Sequence, residues 1–228
     1  MTAESTNTKK RIIFTGGGTA GHVTPNIALI EPLLREGWEV HYIGSESGME
    51  KGLIAGLPEV VYHGISTGKL RRYFSWQNFI DPFRVIKGYF QARKLIREIR
   101  PDVIFSKGGF VSVPVVLGAG KVPVVAHESD YSPGLSNRIA SRFTDKICLS
   151  FEDTLTDVQP GKGIFTGTPI RPALYSGSRE RALAFTGYSG EKPVLLVMGG
   201  SLGAQKLNEL VRAALPQLCE RYDVIHRC

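Results

Sequence analysis

The same glycine signature occurs twice in these 228 residues. Gly17-Gly18-Thr19-Ala20-Gly21 follows the apolar run Ile12-Ile13-Phe14, and Gly199-Gly200-Ser201-Leu202-Gly203 follows Val194-Leu195-Leu196-Val197-Met198. Each reads as a buried strand, a glycine loop and then a helix. With no Cβ in the way, such a loop lets backbone N–H groups and a helix N-terminus face an anion. Two copies predict two similar domains of nucleotide-binding type with a cleft between them.

The chain around these loops alternates short β-rich runs with helical patterns. Strands are predicted near 11–15, 39–44, 60–65, 102–106, 122–127, 145–150, 194–198 and 223–227, and helices near 24–36, 47–56, 76–99, 110–119, 133–143 and 205–221. The apolar runs are continuous rather than alternating, as expected when both faces of a parallel sheet are covered. The fold class is therefore α/β, built of right-handed crossovers. Pro32 is expected to kink or shorten the first helix, and Gly37 to stop it. Residues 1–165 hold six strands, enough for a doubly wound sheet. A connector is expected over 166–179, around Gly167, Thr168-Pro169 and Pro172. A second domain would occupy 180–228 and stop after strand, loop, helix and strand. Such a sheet needs roughly 100 or more further residues to close its core, so the second domain is expected to be incomplete and the chain truncated at its C-terminus.

No apolar stretch approaches the ~18–20 residues of a membrane span, and Met1–Lys10 lacks the apolar core of a signal peptide. A cytosolic location follows as an expectation. Cys148, Cys219 and Cys228 have no metal-ligand spacing and read as free thiols. The net charge of +7 is concentrated: Lys69 to Arg100 holds nine Lys/Arg against Asp81 and Glu98, which equals the whole excess. Tyr73, Phe74, Trp76, Phe79, Phe83, Tyr89 and Phe90 are interleaved with them. Apolar side chains that dip into a headgroup region beside Lys and Arg suit an anionic membrane surface. The plainer reading is an amphipathic helix packed on the sheet, over much of 84–99. A nucleic-acid partner is disfavoured, because no recognition-module pattern accompanies the basic residues.

The first loop also fits Gly16-x-Gly18-x-x-Gly21, the pattern of a dinucleotide site. That site usually has an acid closing the second strand, and here Glu46 comes late, after Gly44-Ser45. No Lys-Ser or Lys-Thr follows the glycines, so a P-loop is excluded. His22 stands at the helix entrance as a candidate general base or phosphate contact; a positive helix end would keep it neutral. A capping or core histidine is the plainer alternative. His41, His63 and His226 lie in strand patterns and read as structural. Ser106-Lys107-Gly108-Gly109 and His127-Glu128-Ser129-Asp130 close the fourth and fifth strands, where open α/β sheets bind ligands. A glycine turn is the rival for the former, and a helix N-cap at Ser129, Asp130 or Ser132 for the latter. Arg171 in the connector could pair with a diphosphate across an interdomain cleft.

Five motifs in order, Gly-Gly-Thr-x-Gly-His (17–22), Ser-Lys-Gly-Gly-Phe-Val-Ser (106–112), His-Glu-Ser-Asp (127–130), Gly-Thr-Pro-Ile-Arg (167–171) and Gly-Gly-Ser-Leu-Gly-Ala (199–204), give the chain its resemblance to the MurG family of glycosyltransferases, from Arg11 to the end. The resemblance implies a GT-B fold of two Rossmann-like parallel-sheet domains. It implies inverting transfer of N-acetylglucosamine from UDP-N-acetylglucosamine to undecaprenyl-diphosphate-linked muramyl-pentapeptide, at the cytoplasmic face of the bacterial membrane, with no protein-bound metal or other cofactor. By motif, Thr19, Ala20 and Gly21 would line the donor diphosphate and sugar, His22 would be the base or a phosphate contact, and Arg171 and Ser201 would touch the donor. Asp130 stands where many members have Asn. An ionised Asp accepts but does not donate, so Asp130 is a substrate-binding candidate that could also serve as base. Family members continue well past Cys228 with residues that grip the uridine, so this chain alone is expected to be inactive. The rivals are a non-catalytic lipid-binding fragment and a nucleotide-dependent epimerase or dehydrogenase.

Overall fold

A computed structural model describes residues 9–68, 77–200 and 203–227. The chain divides into two compact units, residues 1–171 and 172–228.

The first unit is a seven-stranded sheet, every adjacent pair parallel. Its strands are β1 (Arg11–Thr15), β2 (Glu39–Ser45), β3 (Val61–Ile65), β4 (Val103–Ser106), β5 (Val124–Glu128), β6 (Lys146–Leu149) and β7 (Gly163–Phe165), in the order β3-β2-β1-β4-β5-β6-β7. The helices between them are α1 (Thr24–Arg35), α2 (Met49–Ile54), α3 (Gln77–Ile99), α4 (Ser112–Gly118) and α5 (Leu135–Ala140). Successive strand residues point to opposite faces. Ile12 and Phe14 therefore join Val40, Tyr42 and Phe105 in a core with Ile30 of α1 and Ile54 of α2. Ile13 joins Ile43, Ile65 and Ile104 on the other face, under Ala92 and Ile96 of α3 and Val115 of α4. Both faces are covered, which is why the strands read as unbroken apolar runs.

Three departures from the sequence expectations stand beside one agreement. Pro32 does not shorten α1: the helix runs on to Arg35, because the proline lies in the last turn, where its own carbonyl still accepts from Glu36 N–H at 3.0 Å. Gly37 does stop it, at φ 85°, with Gly37 and Trp38 N–H returning to the Leu34 and Leu33 carbonyls. The first sheet has a seventh strand rather than six, since β7 is too short and too glycine-led to read as one. The predicted helix 133–143 is α5 followed by a 3-10 turn at Ser141–Phe143.

The second unit holds α6 (Arg179–Thr186), β8 (Val194–Met198), α7 (Gln205–Arg221) and β9 (Asp223–Arg227). Here β8 and β9 pair in parallel. The sequence reading missed α6 although its caps are standard: Ser178 Oγ accepts from Arg181 N–H and Gly187 closes the helix at φ 73°. Val211 is the one buried hydrophobic residue of this unit among the described residues, while Val194, Leu196 and Met198 expose one face of β8.

Candidate active site

Strand order reverses between β1 and β4. In open α/β sheets a ligand crevice forms at that switch point, outside the carboxyl ends of the strands. The Thr15↔Ser106 register ends the two strands level, so the loop after β1 and the loop after β4 lie side by side. Gly109 leaves no room for a Cβ beside the Gly17 carbonyl, and its missing Cβ would sit 3.3 Å from His22 Nδ1. Gly18, at φ 87°, lies against the Phe110 ring.

Thr19 is extended, and Ala20–His22 form a 3-10 turn. His22 thus precedes α1 rather than opening it. Thr19 Oγ1 and His22 Nδ1 are 2.9 Å apart. If Nδ1–H donates to the hydroxyl, Nε2 keeps its lone pair. Burial is the main cause that holds the imidazole pKa below its usual value, and the Lys107 ammonium adds to it, while Asp130 and Glu128 pull the other way. The direction expected from sequence is present, but its cause is burial and Lys107 rather than a helix end.

Lys107 is the unexpected component. Only 1% of its surface is exposed. Its Nζ donates to Ser129 Oγ at 2.9 Å, and among the described residues no carboxylate pairs with it. Burial is the largest cause of its lowered pKa, against Glu128 and Asp130, which raise it. A desolvated cation without an ion-pair partner is costly, and here it stands beside His22.

The loop after β5 divides into support and surface. His127 is buried, and its Nε2–H donates to the Gly167 carbonyl at 3.0 Å. Burial lowers its pKa. Glu128, also buried, accepts from Asn137 Nδ2 at 2.7 Å and from Asp130 N–H at 2.9 Å, with Gly134 N–H at 3.4 Å. Only Asp130 is exposed, so it is the residue of this motif open to a ligand. The N-cap alternative for Ser129, Asp130 or Ser132 is not realised, because α5 is capped by Gly134 without a side-chain bond.

Of the residues picked from sequence, the structure gathers Thr19, Ala20, Gly21 and His22 on one loop, with Asp130 within electrostatic reach of His22. Arg171 is exposed and makes no hydrogen bond or ion pair among the described residues. Ser201 lies outside the described residues, as do Lys69, Arg71, Arg72, Tyr73, Phe74 and Trp76. Several supports of the first loop were missed. Asn26 Nδ2 lies within 3.4 Å of the Thr15 and His22 carbonyls and of Tyr42 Oη. The Tyr42 hydroxyl donates to the Gly16 carbonyl at 2.7 Å. Glu50 closes the loop from below. Asparagine at the third position of a helix that follows a glycine loop was the available signal for Asn26.

Comparison with known proteins agrees with this geometry. The glycosyltransferase family 28 N-terminal domain matches residues 12–149, and the glycosyltransferase family 28 C-terminal domain matches residues 194–228. The chain is 54% identical over 223 residues to a Bacillus cereus protein named UDP-N-acetylglucosamine–N-acetylmuramyl-(pentapeptide) pyrophosphoryl-undecaprenol N-acetylglucosamine transferase 2, covering 96% of this chain and 62% of that one. A Lachnoclostridium phytofermentans transferase of the same description is 55% identical over 221 residues, with the same two shares. The crystal structure of Acinetobacter baumannii MurG superimposes with a TM-score of 0.69 at 27% identity, covering 96% of this chain and 58% of that one. The chain thus spans about 62% of the length of these curated relatives. With its parallel sheet, its switch-point loops and its matches in both units, it belongs to glycosyltransferase family 28 and has the GT-B fold.

Proposed function

We propose that this chain serves the inverting transfer of N-acetylglucosamine from UDP-N-acetylglucosamine to an undecaprenyl-diphosphate-linked muramyl-pentapeptide, the reaction named for its relatives. Residues 1–165 would form the acceptor side, 166–179 the connector and 180–228 the start of the donor side. The observation that carries this reading is His22, an imidazole kept neutral at the switch point and held through Nδ1 by Thr19. Its Nε2 would take the proton of the acceptor hydroxyl. The oxygen lone pair then attacks the anomeric carbon from the face opposite the diphosphate, the bond from that carbon to UDP breaks, and UDP leaves with the electron pair. Lys107 disfavours the imidazolium beforehand, so the base is ready at neutral pH. Thr19, Ala20, Gly21, Asp130, Arg171 and Ser201 are the proposed substrate contacts. In a protein of the relatives' length, His22→Ala should lower turnover about 100-fold or more, the range of a lost general base. Near-wild-type turnover would remove His22 from the mechanism.

The membrane half of the reading rests on α3. Its inner face is buried through Ala92, Ile96 and Ile99, while Phe83, Ile86 and Phe90 are exposed at 73%, 54% and 63%. That i, i+3, i+7 stripe runs beside Arg84, Lys87, Lys94 and Arg97. Among the described residues no helix is long and apolar enough to cross a membrane, so attachment would be peripheral, at the cytoplasmic face. Replacing Phe83, Ile86 and Phe90 with Ser should weaken co-sedimentation with anionic vesicles without lowering the unfolding midpoint. Unchanged binding would place the docking surface elsewhere.

A further inference from the structure

Glu50 belongs to no catalytic motif, yet it sits directly beneath the loop that carries His22. It has 0% exposure. Both carboxylate oxygens act as acceptors: Oε1 from Ser45 N–H at 2.9 Å and Ser45 Oγ–H at 2.6 Å, and Oε2 from Gly18 N–H at 3.4 Å. No Lys, Arg or His pairs with it among the described residues. Three glycines from three segments make the space it occupies. A Cβ on Gly17 would lie 2.7 Å from its Cδ, and one on Gly44 2.9 Å from its Cγ, while Gly48 would collide with its carboxylate. The carboxylate reaches this cradle because Glu50 is in the first turn of α2, directly behind β2.

We propose that Glu50 is a positioning residue for the transfer site: it clamps Gly17 and Gly18 from below and so sets Thr19, and through Thr19 the His22 ring. The path is short. Gly18, which donates to Glu50, is followed by Thr19, whose hydroxyl meets His22 Nδ1. Gly17, wedged on the carboxylate, meets the second loop at Gly109. One consequence is that the Gly18 N–H is already engaged, so a ligand anion must be met by the groups that follow it. The catalytic part of this proposal rests on the reading of His22 as base; the structural part does not.

Glu50→Gln keeps the volume and both Ser45 bonds to Oε1, but it turns an N–H toward the Gly18 N–H. Loss of that acceptor should speed amide hydrogen exchange across residues 16–23 of the 228-residue chain by about 10-fold or more, with β4 and β5 unchanged. Ser45→Ala loosens the same carboxylate from its other side and should shift the same segment by less, which covers failure of the Gln variant to fold. If exchange at 16–23 stays at the wild-type rate in both, the clamp does not exist, whatever the enzyme does. In a protein of the relatives' length, Glu50→Gln should lower kcat by up to about 100-fold with KM for the UDP-sugar unchanged. The pH dependence should also stay in place, because the charged groups acting on His22 are Lys107, Asp130 and Glu128. A raised KM with unchanged kcat, or a displaced pH profile, would overturn the positioning role. Absence of transferase activity in the wild type would sink the functional reading and leave the exchange result standing.

Discussion

The two glycine loops share a signature and differ in what surrounds it. In the first, Gly16 abuts the His22 carbonyl and Lys107, Gly17 the Glu50 carboxyl and Gly18 the Phe110 ring. In the second, a Cβ on Gly200 or Gly203 would meet nothing within 4 Å among the described residues, and one on Gly199 would meet Gly203 and Ala204 of its own loop. The first unit supplies buried polar groups, Asn26, Tyr42 and Glu50, that bond directly to its loop. The second unit has β8, β9 and two helices, with one buried hydrophobic residue among those described. A glycine pattern therefore specifies where a chain can turn tightly. Whether the turn is a preset site depends on side chains that arrive from other elements.

The sharpest way to break this contrast is to add one methyl group to each loop. Gly18→Ala places a Cβ against the Phe110 ring and forces an alanine to φ 87°. Left-handed backbone costs roughly 1–2 kcal/mol per residue and overpacking roughly 1–3 kcal/mol, so urea denaturation should show a loss of about 2–5 kcal/mol. Gly200→Ala meets open space and should stay within about 0.5 kcal/mol of wild type. Equal effects would mean that the first loop gives way as easily as the second.

The same contrast explains what was legible in the sequence. β1, β8, β9 and α7 lie where the pattern puts them, to the residue. β1 and β8 carry continuous apolar runs, β9 is built on Val224-Ile225, and α7 is a long amphipathic helix. Thr19 and His22 were legible because the glycine loop carries them as immediate neighbours. Glu50 was not, since one acid among 21 has no local mark, and its role exists only because α2 brings it back under β1. Lys107 was visible in its motif, but its burial was not: lysines are almost never fully buried unless paired, and only the packing of two loops shows this one inside. Burying an ammonium without an ion-pair partner costs stability, and burial accordingly lowers its pKa. β7 and α6 were missed for the opposite reason: each is too short for periodicity to decide.

The smallest expected effect is on acid stability, and it should fall on the first unit. His22, His63 and His127 all have folded-state pKa values below the ordinary histidine value, in each case chiefly through burial. His63 adds a neighbour, His41, whose Nδ1 lies 3.0 Å from its Nε2. His127 Nδ1 is buried without a hydrogen-bond partner among the described residues. For each of the three, the folded state refuses a proton that the unfolded chain takes up as pH falls through about 6.5. The unfolded state then binds more protons, so stability rises with pH across this window. The contribution is fully present above about pH 6.5 and is lost progressively as pH falls below it. The urea midpoint of the first unit should therefore decline between pH 7.5 and 5.5, before the carboxylates titrate. His63→Gln should remove part of that decline without touching the loop around His22. A midpoint that is flat or rises on acidification would show that these imidazoles are solvated in the folded protein, and with that the buried, neutral setting assigned to His22 would be lost.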